Sequence, residues 1–234
     1  MIGALPGSVR DNGLAIFAHE LRQPLEAARW GLRIIHQTED RSALNHACQV
    51  VERQVARMQR LVDDLLDLSR IARDQLELQT EQLELGDLVE QAGEDARGDL
   101  DARGLQLSIS RPNGPIPVKG DPIRLQQVVS NLVSNAARHT DRGGEIRISV
   151  TRQTDEAVLR VADTGCGIDP GLLPHVFEPF IKQHDGAGGG LGIGLTIVRV
   201  IVERHRGSVE AYSAGPGKGS EFVVRLPAHP NAVR

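Results

Sequence analysis

The chain has 234 residues, 40% of them hydrophobic and 25% charged, with a formal net charge of −4, so it can bury the core of one large domain or two small ones. The acidic balance argues against nucleic acid as a partner, because neutralising phosphates requires a clustered surplus of Lys and Arg. The apolar runs are too short to span a membrane and the N-terminus has no signal-peptide pattern. We therefore expect no membrane contact by these residues and a cytoplasmic location, which the use of only two cysteines also favours.

Two long helices are predicted first. From Leu14 to Ile35, and again from Leu44 to Ala72, apolar residues recur in steps of three and four, which is typical of amphipathic helices in bundles. The polar stretch HQTEDRS separates them and predicts an antiparallel hairpin. Two helices cannot bury both apolar seams, so we expect a homodimer with a four-helix bundle. Cys48 lies in this pattern and is predicted to be a small core residue.

Beyond Leu78 the periodicity changes to short alternating segments interleaved with helices. The predicted strands contain LQLSIS, EIRISV, AVLRVAD, SVEAYS and EFVVRL, and the predicted helices lie near 86–103, 121–140 and 191–206. This order indicates an α+β layer with helices on one face of a sheet. The segment QTEQLELG is interpreted as the joint. The chain is thus predicted to be multidomain, with a helical hairpin at 1–80 and an α+β domain at 81–234.

The first helix contains HELRQPL, which combines an unusual proline with a candidate nucleophile. With Leu14 and Leu21 at heptad position a, His19 falls at f and should be exposed. Pro24 removes the amide that would bond the Glu20 carbonyl, which bends a helix at a cost of about 3 kcal/mol. An unprotonated imidazole can attack phosphorus, and an adjacent carboxylate can hold the other ring N–H. His19 and Glu20 are therefore candidate catalytic residues.

Three polar and glycine-rich clusters follow in the second half: NLVSNAARHT, DTGCGI and GAGGGLGIGL. Neither the Walker spacing nor the dinucleotide spacing of glycines is present, and GPGKGSEF is interpreted as a turn between strands. Asn131 and Asn135 share one helix face and offer neutral oxygens to a hard cation, with Arg138 nearby for phosphate. Asp163 is predicted to end a strand, and the last glycine run opens a helix, where anions bind readily.

Together with FEPF, these segments resemble the H, N, G1, F and G2 boxes of two-component sensor histidine kinases, in the order of that family and over roughly residues 12 to 228. The resemblance implies a dimerisation and histidine-phosphotransfer hairpin joined to a Bergerat-type ATP-binding α/β sandwich. It also implies a reaction in which Mg²⁺-bound ATP phosphorylates His19, which then phosphorylates an aspartate of a response-regulator receiver domain.

The resemblance assigns roles to individual positions. His19 is similar to the phosphoacceptor and Glu20 to its neighbouring acid/base, while Gln23 stands where Thr or Asn serves the regulator phosphatase activity. Asn135 is similar to the Mg²⁺ ligand, supported by Asn131. The remaining positions that the resemblance places at the nucleotide site are Arg138, His139, Asp163 (adenine recognition), Gly165, Gly167, Ile168, Lys182, Gly190, Leu191, Gly192, Gly194 and Ser220.

Besides Gln23, three of these positions depart from the commonest family pattern. Arg138 and His139 stand where Lys and Tyr are usual; Arg keeps the phosphate charge, and His offers a smaller stacking surface. Ser220 replaces Thr and keeps the hydroxyl.

Two other functions fit part of the pattern. An ATPase of the same nucleotide fold explains the second half but not His19, and a dimeric scaffold or phosphatase would bind ATP without transferring its phosphoryl group.

Overall fold

The computed structural model describes residues 7–110, 114–183 and 190–228, with side chains from Phe17 onward. Its residues form two compact units, one containing the chain up to Leu76 together with 190–193, the other containing the rest from Glu77. The predicted fold class, a helical hairpin followed by a mixed α/β domain, is confirmed. Within the described ranges no helix has both the length and the apolar character that crossing a membrane demands.

The first unit is built on two antiparallel helices, α1 (Gly7–Gln37) and α2 (Arg41–Ala72). Asp40 ends the connection between them, and its carboxylate accepts a hydrogen bond of 3.1 Å from the Ser42 amide, which caps α2. Small residues let the helices approach closely: a methyl group on Gly31 would lie 2.6 Å from Val51 Cγ2. This contact fixes which residues of α1 face which residues of α2.

Helix α1 runs without interruption through Pro24, which is buried. The prediction that Cys48 is a core residue is wrong, because its side chain is exposed. The reason is geometric: Cys48, Val55 and Val62 lie seven residues apart, and all three are exposed on α2. They form a stripe that α1 does not cover, whereas Ala47, Leu61 and Leu68 form the buried one.

The α-helices and β-strands of the second unit are β1 (Glu81–Glu84), α3 (Leu85–Arg103), β2 (Gln106–Ser110), β3 (Pro117–Gly120), α4 (Pro122–His139), β4 (Glu145–Gln153), β5 (Glu156–Asp163), α5 (Gly194–Arg204), β6 (Ser208–Tyr212) and β7 (Ser220–Pro227). Five of the strands form a sheet in the order β2-β4-β5-β7-β6, in which only the β2–β4 pair is parallel. Alternate residues of β4 such as Ile146, Ile148 and Val150 are buried, so one face of the sheet is covered. Three helices pack on this unit.

The segment interpreted as a joint is largely ordered secondary structure. Glu81–Glu84 forms β1, which pairs antiparallel with β3. Glu84 then begins α3, because its Oε1 accepts hydrogen bonds from the amides of Gly86 (3.2 Å) and Ile116 (2.8 Å). The sequence did not reveal β3, since a four-residue strand that starts at Pro117 and ends at Gly120 has no visible alternation.

His205 joins the end of α5 to the start of α4 and is itself buried. Its Nε2 accepts a hydrogen bond of 2.9 Å from the Asp121 amide, so Nδ1 carries the proton and donates to the Ile201 carbonyl at 2.7 Å. Asp121 in turn caps α4 by accepting from the Arg124 amide. The helix that carries Asn131 and Asn135 is therefore anchored by a neutral, buried imidazole.

We predict that His205→Ala lowers the free energy of unfolding by about 2–4 kcal/mol, because it removes the acceptor of a buried amide and leaves a cavity. Urea unfolding monitored by circular dichroism measures the change. The exposed His175, which pairs with Glu178 at 2.8 Å, provides the control: His175→Ala should cost less than about 1 kcal/mol. Equal effects of the two substitutions would contradict the anchoring role.

Candidate active site

On α1 the candidate phosphoacceptor and its neighbour point in different directions. His19 is exposed, as its heptad position predicts, whereas Glu20 is only 6% exposed. Successive residues of an α-helix are turned by about 100°, so an f position faces solvent while the next position faces the partner helix. The site thus combines a solvent-accessible imidazole with a desolvated carboxylate on the adjacent residue.

The Glu20 carboxylate is paired with Arg57 across the hairpin, with 3.6 Å between Glu20 Oε2 and the nearest guanidinium nitrogen. Arg57 was not among the residues predicted from the sequence. A signal was available: the helices are connected around residues 38–40, and position 57 lies about as far after that connection as position 20 lies before it. An antiparallel hairpin places such mirrored positions side by side.

In the second unit, α4 presents the predicted polar residues on one face. Asn131, Asn135 and Arg138 are spaced by four and three residues, which keeps their side chains in line. Asn135 is half-buried and Arg138 is exposed. The Asn131 amide donates a hydrogen bond of 3.3 Å to the carbonyl of Gly194, the first residue of α5. Asn131 therefore connects α4 to the point where the glycine run enters its helix.

Asp163 ends β5, as predicted, and its buried carboxylate is held by several donors. Oδ1 accepts hydrogen bonds from the Gly165 amide at 2.8 Å and the Ser220 amide at 3.3 Å, and Oδ2 accepts from the Ser220 hydroxyl at 2.5 Å. Such charge-assisted bonds offset the cost of desolvating the carboxylate. Asp163 is thereby fixed in orientation while it retains acceptor capacity for a ligand donor.

The DTGCGI loop packs closely on its neighbours. A side chain on Gly165 would collide with the His139 carbonyl, and Gly167 has φ +69° and lies against the Gly215 carbonyl. The Cys166 amide bonds that same His139 carbonyl at 2.9 Å. Ser213, which the sequence analysis missed, accepts from the Ile168 amide at 2.9 Å and donates to the Gly219 carbonyl at 2.7 Å. Ser213 directly follows β6, and nothing in the sequence pattern distinguishes it.

A cavity of about 590 Å³ lies beside this loop and includes Lys182 in its lining. Its size is within the range of small-molecule sites. Burial, followed by the charge of Asp163, raises the pKa of the Cys166 thiol, so the thiol is protonated at neutral pH. The cavity is lined by Cys166, Asp169, Gly171, Leu172, Lys182, Gln183 and Pro216.

The other predicted positions lie at the end of the DTGCGI loop, just before or at the start of α5, or on α1. Ile168 and Leu191 are buried, Gly190 and Gly194 are half-buried, and Gly192 has φ +69°, a conformation that favours glycine. Gln23 is exposed on α1. Part of the predicted lid, residues 184–189, lies outside the described residues. Across the described ranges, no group of three or more His, Cys, Asp or Glu residues is suited to hold a metal ion.

Two known protein families are similar to parts of this chain. Residues 10–74 match the family model of the His Kinase A (phospho-acceptor) domain, and residues 120–230 match that of the histidine kinase-, DNA gyrase B- and HSP90-like ATPases. The sensor histidine kinase TrcS of Mycobacterium tuberculosis is 41% identical over 221 residues, which are 90% of this chain and 42% of TrcS.

Two solved structures are similar in fold. The histidine kinase AdeS of Acinetobacter baumannii superimposes with a TM-score of 0.66 at 26% identity, over 91% of this chain and 98% of that one. The histidine kinase ThkA, in its complex with the response regulator protein TrrA, gives a TM-score of 0.67 at 21% identity, over 96% of this chain and 64% of that one. The chain belongs to the two-component sensor histidine kinase family. It spans less than half the length of the first curated relatives it matches.

The contact between Ser220 and Asp163 gives a prediction for ATP binding. Ser220→Ala removes a charge-assisted hydrogen bond that orients the carboxylate, so the Kd for ATP should rise about tenfold, whereas Ser220→Thr should stay within about twofold of the parent chain. Isothermal titration with ATP measures both. An unchanged Kd for Ser220→Ala, in a variant whose Tm is also unchanged, would show that the hydroxyl does not position Asp163.

Proposed function

We propose that this chain is the catalytic core of a sensor histidine kinase: it transfers the terminal phosphoryl group of Mg²⁺-bound ATP to His19 and then to an aspartate of a response-regulator receiver domain. The observation that carries the proposal is the exposed His19 beside a buried Glu20. The same chain also contains the Asp163 carboxylate, in the part that matches the ATPase family. An ATPase of the same fold has no use for the first feature.

The proposed transfer uses groups that the structure describes. An unprotonated nitrogen of the His19 ring attacks the terminal phosphorus, a nitrogen–phosphorus bond forms, and the bond to the bridging oxygen breaks so that ADP leaves with the electron pair. The other ring nitrogen keeps its proton, and the neighbouring Glu20 supplies negative charge that stabilises the positive ring that forms. Such catalysis depends mainly on positioning and on neutralising charge.

The nucleotide contacts are proposed residue by residue. Asp163 accepts a hydrogen bond from the adenine amino group, and the glycines of its loop allow the ring to approach the backbone. Arg138 and Lys182 supply positive charge for the phosphates. Asn135 is the side chain best suited to Mg²⁺, since a single amide oxygen together with phosphate oxygens and water suits this ion. His139, Ile168, Gly190, Leu191, Gly192 and Gly194 complete the proposed site.

A second copy of the chain is the proposed partner of the hairpin. Leu25 and Leu32 lie seven residues apart on α1 and are 48% and 46% exposed, and Val55 and Val62 on α2 are each 42% exposed. Apolar residues with this spacing form the seam of a bundle. A second hairpin would bury these stripes in four helices, with Cys48 beside them.

The regulator's docking surface is proposed on the His19 face of α1. Trp30 lies eleven residues beyond His19, which places it on nearly the same face and about 16 Å along the helix. It is 64% exposed, with the Arg33 guanidinium 5.2 Å from its ring centroid. Exposed Trp and Arg side chains are typical of binding hot spots.

The exposed amide of Gln23, one turn beyond His19, supports an additional phosphatase activity, since it can orient a water molecule.

We predict that incubation with Mg²⁺ and terminally radiolabelled ATP labels the parent chain, and that the label is acid-labile and base-stable, as expected of a phosphorus–nitrogen bond. His19→Gln should abolish labelling while ATP still binds, because only the acceptor is lost. Asn135→Ala should lower labelling at least about a hundredfold through lost positioning of the phosphates. Filter binding after an acid or alkaline wash measures the label.

Two results would contradict this proposal. Label that persists in His19→Gln would place the phosphoryl group elsewhere. A parent chain that binds ATP but acquires no label would favour the scaffold or phosphatase function. Ser69→Ala, an exposed position on α2, serves as a control that should label as the parent does.

The proposed dimer predicts the effect of charge in the exposed stripe. Val55→Glu combined with Val62→Glu should convert the dimer to a monomer at micromolar concentration, because each carboxylate would be desolvated without a partner. Sedimentation equilibrium measures the mass. Ile123→Glu is the matched control, since Ile123 is 75% exposed on α4 and should not affect assembly. A parent chain that sediments as a monomer would rule out the dimer.

A further inference from the structure

We infer that Arg57 is a positioning residue for the phosphorylation of His19 and that it acts through Glu20. The inference rests on the proposed function, because it assigns a purpose to an ion pair beside the proposed phosphoacceptor. No box of the family resemblance in the sequence includes Arg57, which lies on α2. Its relevance follows from its contact with Glu20 across the hairpin.

The burial of Glu20 sets the physical requirement. Its side chain is only 8% exposed, whereas that of Arg57 is 28% exposed and remains partly in water. A carboxylate taken out of water favours its neutral form unless an opposite charge is close. A guanidinium remains charged at any working pH. At 3.6 Å from Glu20 Oε2, Arg57 places a positive charge beside the buried carboxyl group that neighbours the proposed phosphoacceptor.

The pair also limits where the carboxylate can lie. Glu20 is tied to His19 by the backbone of α1, and Arg57 is held on α2 by the register of the hairpin, which the close contact of Gly31 with Val51 fixes. The carboxylate is thus held between a rigid helix and a cation on the neighbouring helix. Fixing the rotamer of a group beside a nucleophile reduces the entropy lost in the transition state.

Arg57 should influence the rate without influencing nucleotide affinity. Arg57 pairs with Glu20, and it is not among the residues proposed to contact the nucleotide. Removing Arg57 should therefore lower kcat and leave the KM for ATP unchanged, which is the pattern expected when a group acts only on the transition state. A general loss of structure would instead lower the Tm and the binding of ATP together.

The test compares single and double variants in the labelling reaction of the full chain. Arg57→Gln should lower the initial rate of His19 labelling about tenfold, with the KM for ATP within about twofold of the parent, and Arg57→Lys should recover part of the rate. If Arg57 acts through Glu20, the double variant Glu20→Gln/Arg57→Gln should label as slowly as Glu20→Gln alone. Arg60→Gln, an exposed arginine of the same helix, should match the parent.

The outcomes separate this inference from the proposed function. A parent chain without label would refute the proposed function itself. A labelled parent with an equally fast Arg57→Gln would overturn only the role of Arg57, and so would a tenfold further loss when Arg57→Gln is added to Glu20→Gln. If Arg57→Gln unfolds, Arg57→Lys decides the question, because lysine retains the charge but not the fork of donors. Positioning by the guanidinium would be refuted if Arg57→Lys labels His19 as fast as the parent chain and if adding Glu20→Gln slows it by the same factor as in the parent.

Discussion

The buried carboxylate of Asp163 is the constraint on which the second unit depends. Three hydrogen bonds from Gly165 and Ser220 hold it, and they require β5, the glycine loop and the start of β7 to meet at one point. The loop can approach because Gly165 has no side chain to collide with the His139 carbonyl. Losing the donors of Gly165 or Ser220 would leave a desolvated carboxylate short of hydrogen bonds, which is among the costliest defects in a protein interior.

The hairpin also buries a carboxylate, but a different kind of group compensates its charge. Glu20 is buried beside an exposed histidine, and an arginine on the opposite helix supplies the charge that backbone amides supply to Asp163. Helix amides are already engaged within the helix, so only a side chain can compensate a carboxylate there. Each unit therefore presents one fixed acid. In the proposed chemistry Asp163 serves the nucleotide and Glu20 serves the imidazole.

Much of this could be predicted from the sequence because it depends on local patterns. The three-and-four spacing gave the hairpin, the alternation gave the five strands of the main sheet, and the end of a strand placed Asp163. The errors involve long-range pairing. Strand β1 was interpreted as a joint because its partner β3 is too short to show a pattern, and Cys48 was placed in the core because one hairpin covers only one of two apolar stripes. Arg57 and Ser213 acquire meaning only through partners distant in the chain.

The proposed reaction places the phosphoryl group on one imidazole. Tandem mass spectrometry of the chain after incubation with Mg²⁺ and ATP, kept at alkaline pH, locates that group. A single added phosphoryl group is expected on the His19 ring, in the peptide that contains HELRQPL. Conversion of ATP to ADP with no phosphorylated peptide, or a phosphoryl group on any other residue, would contradict it.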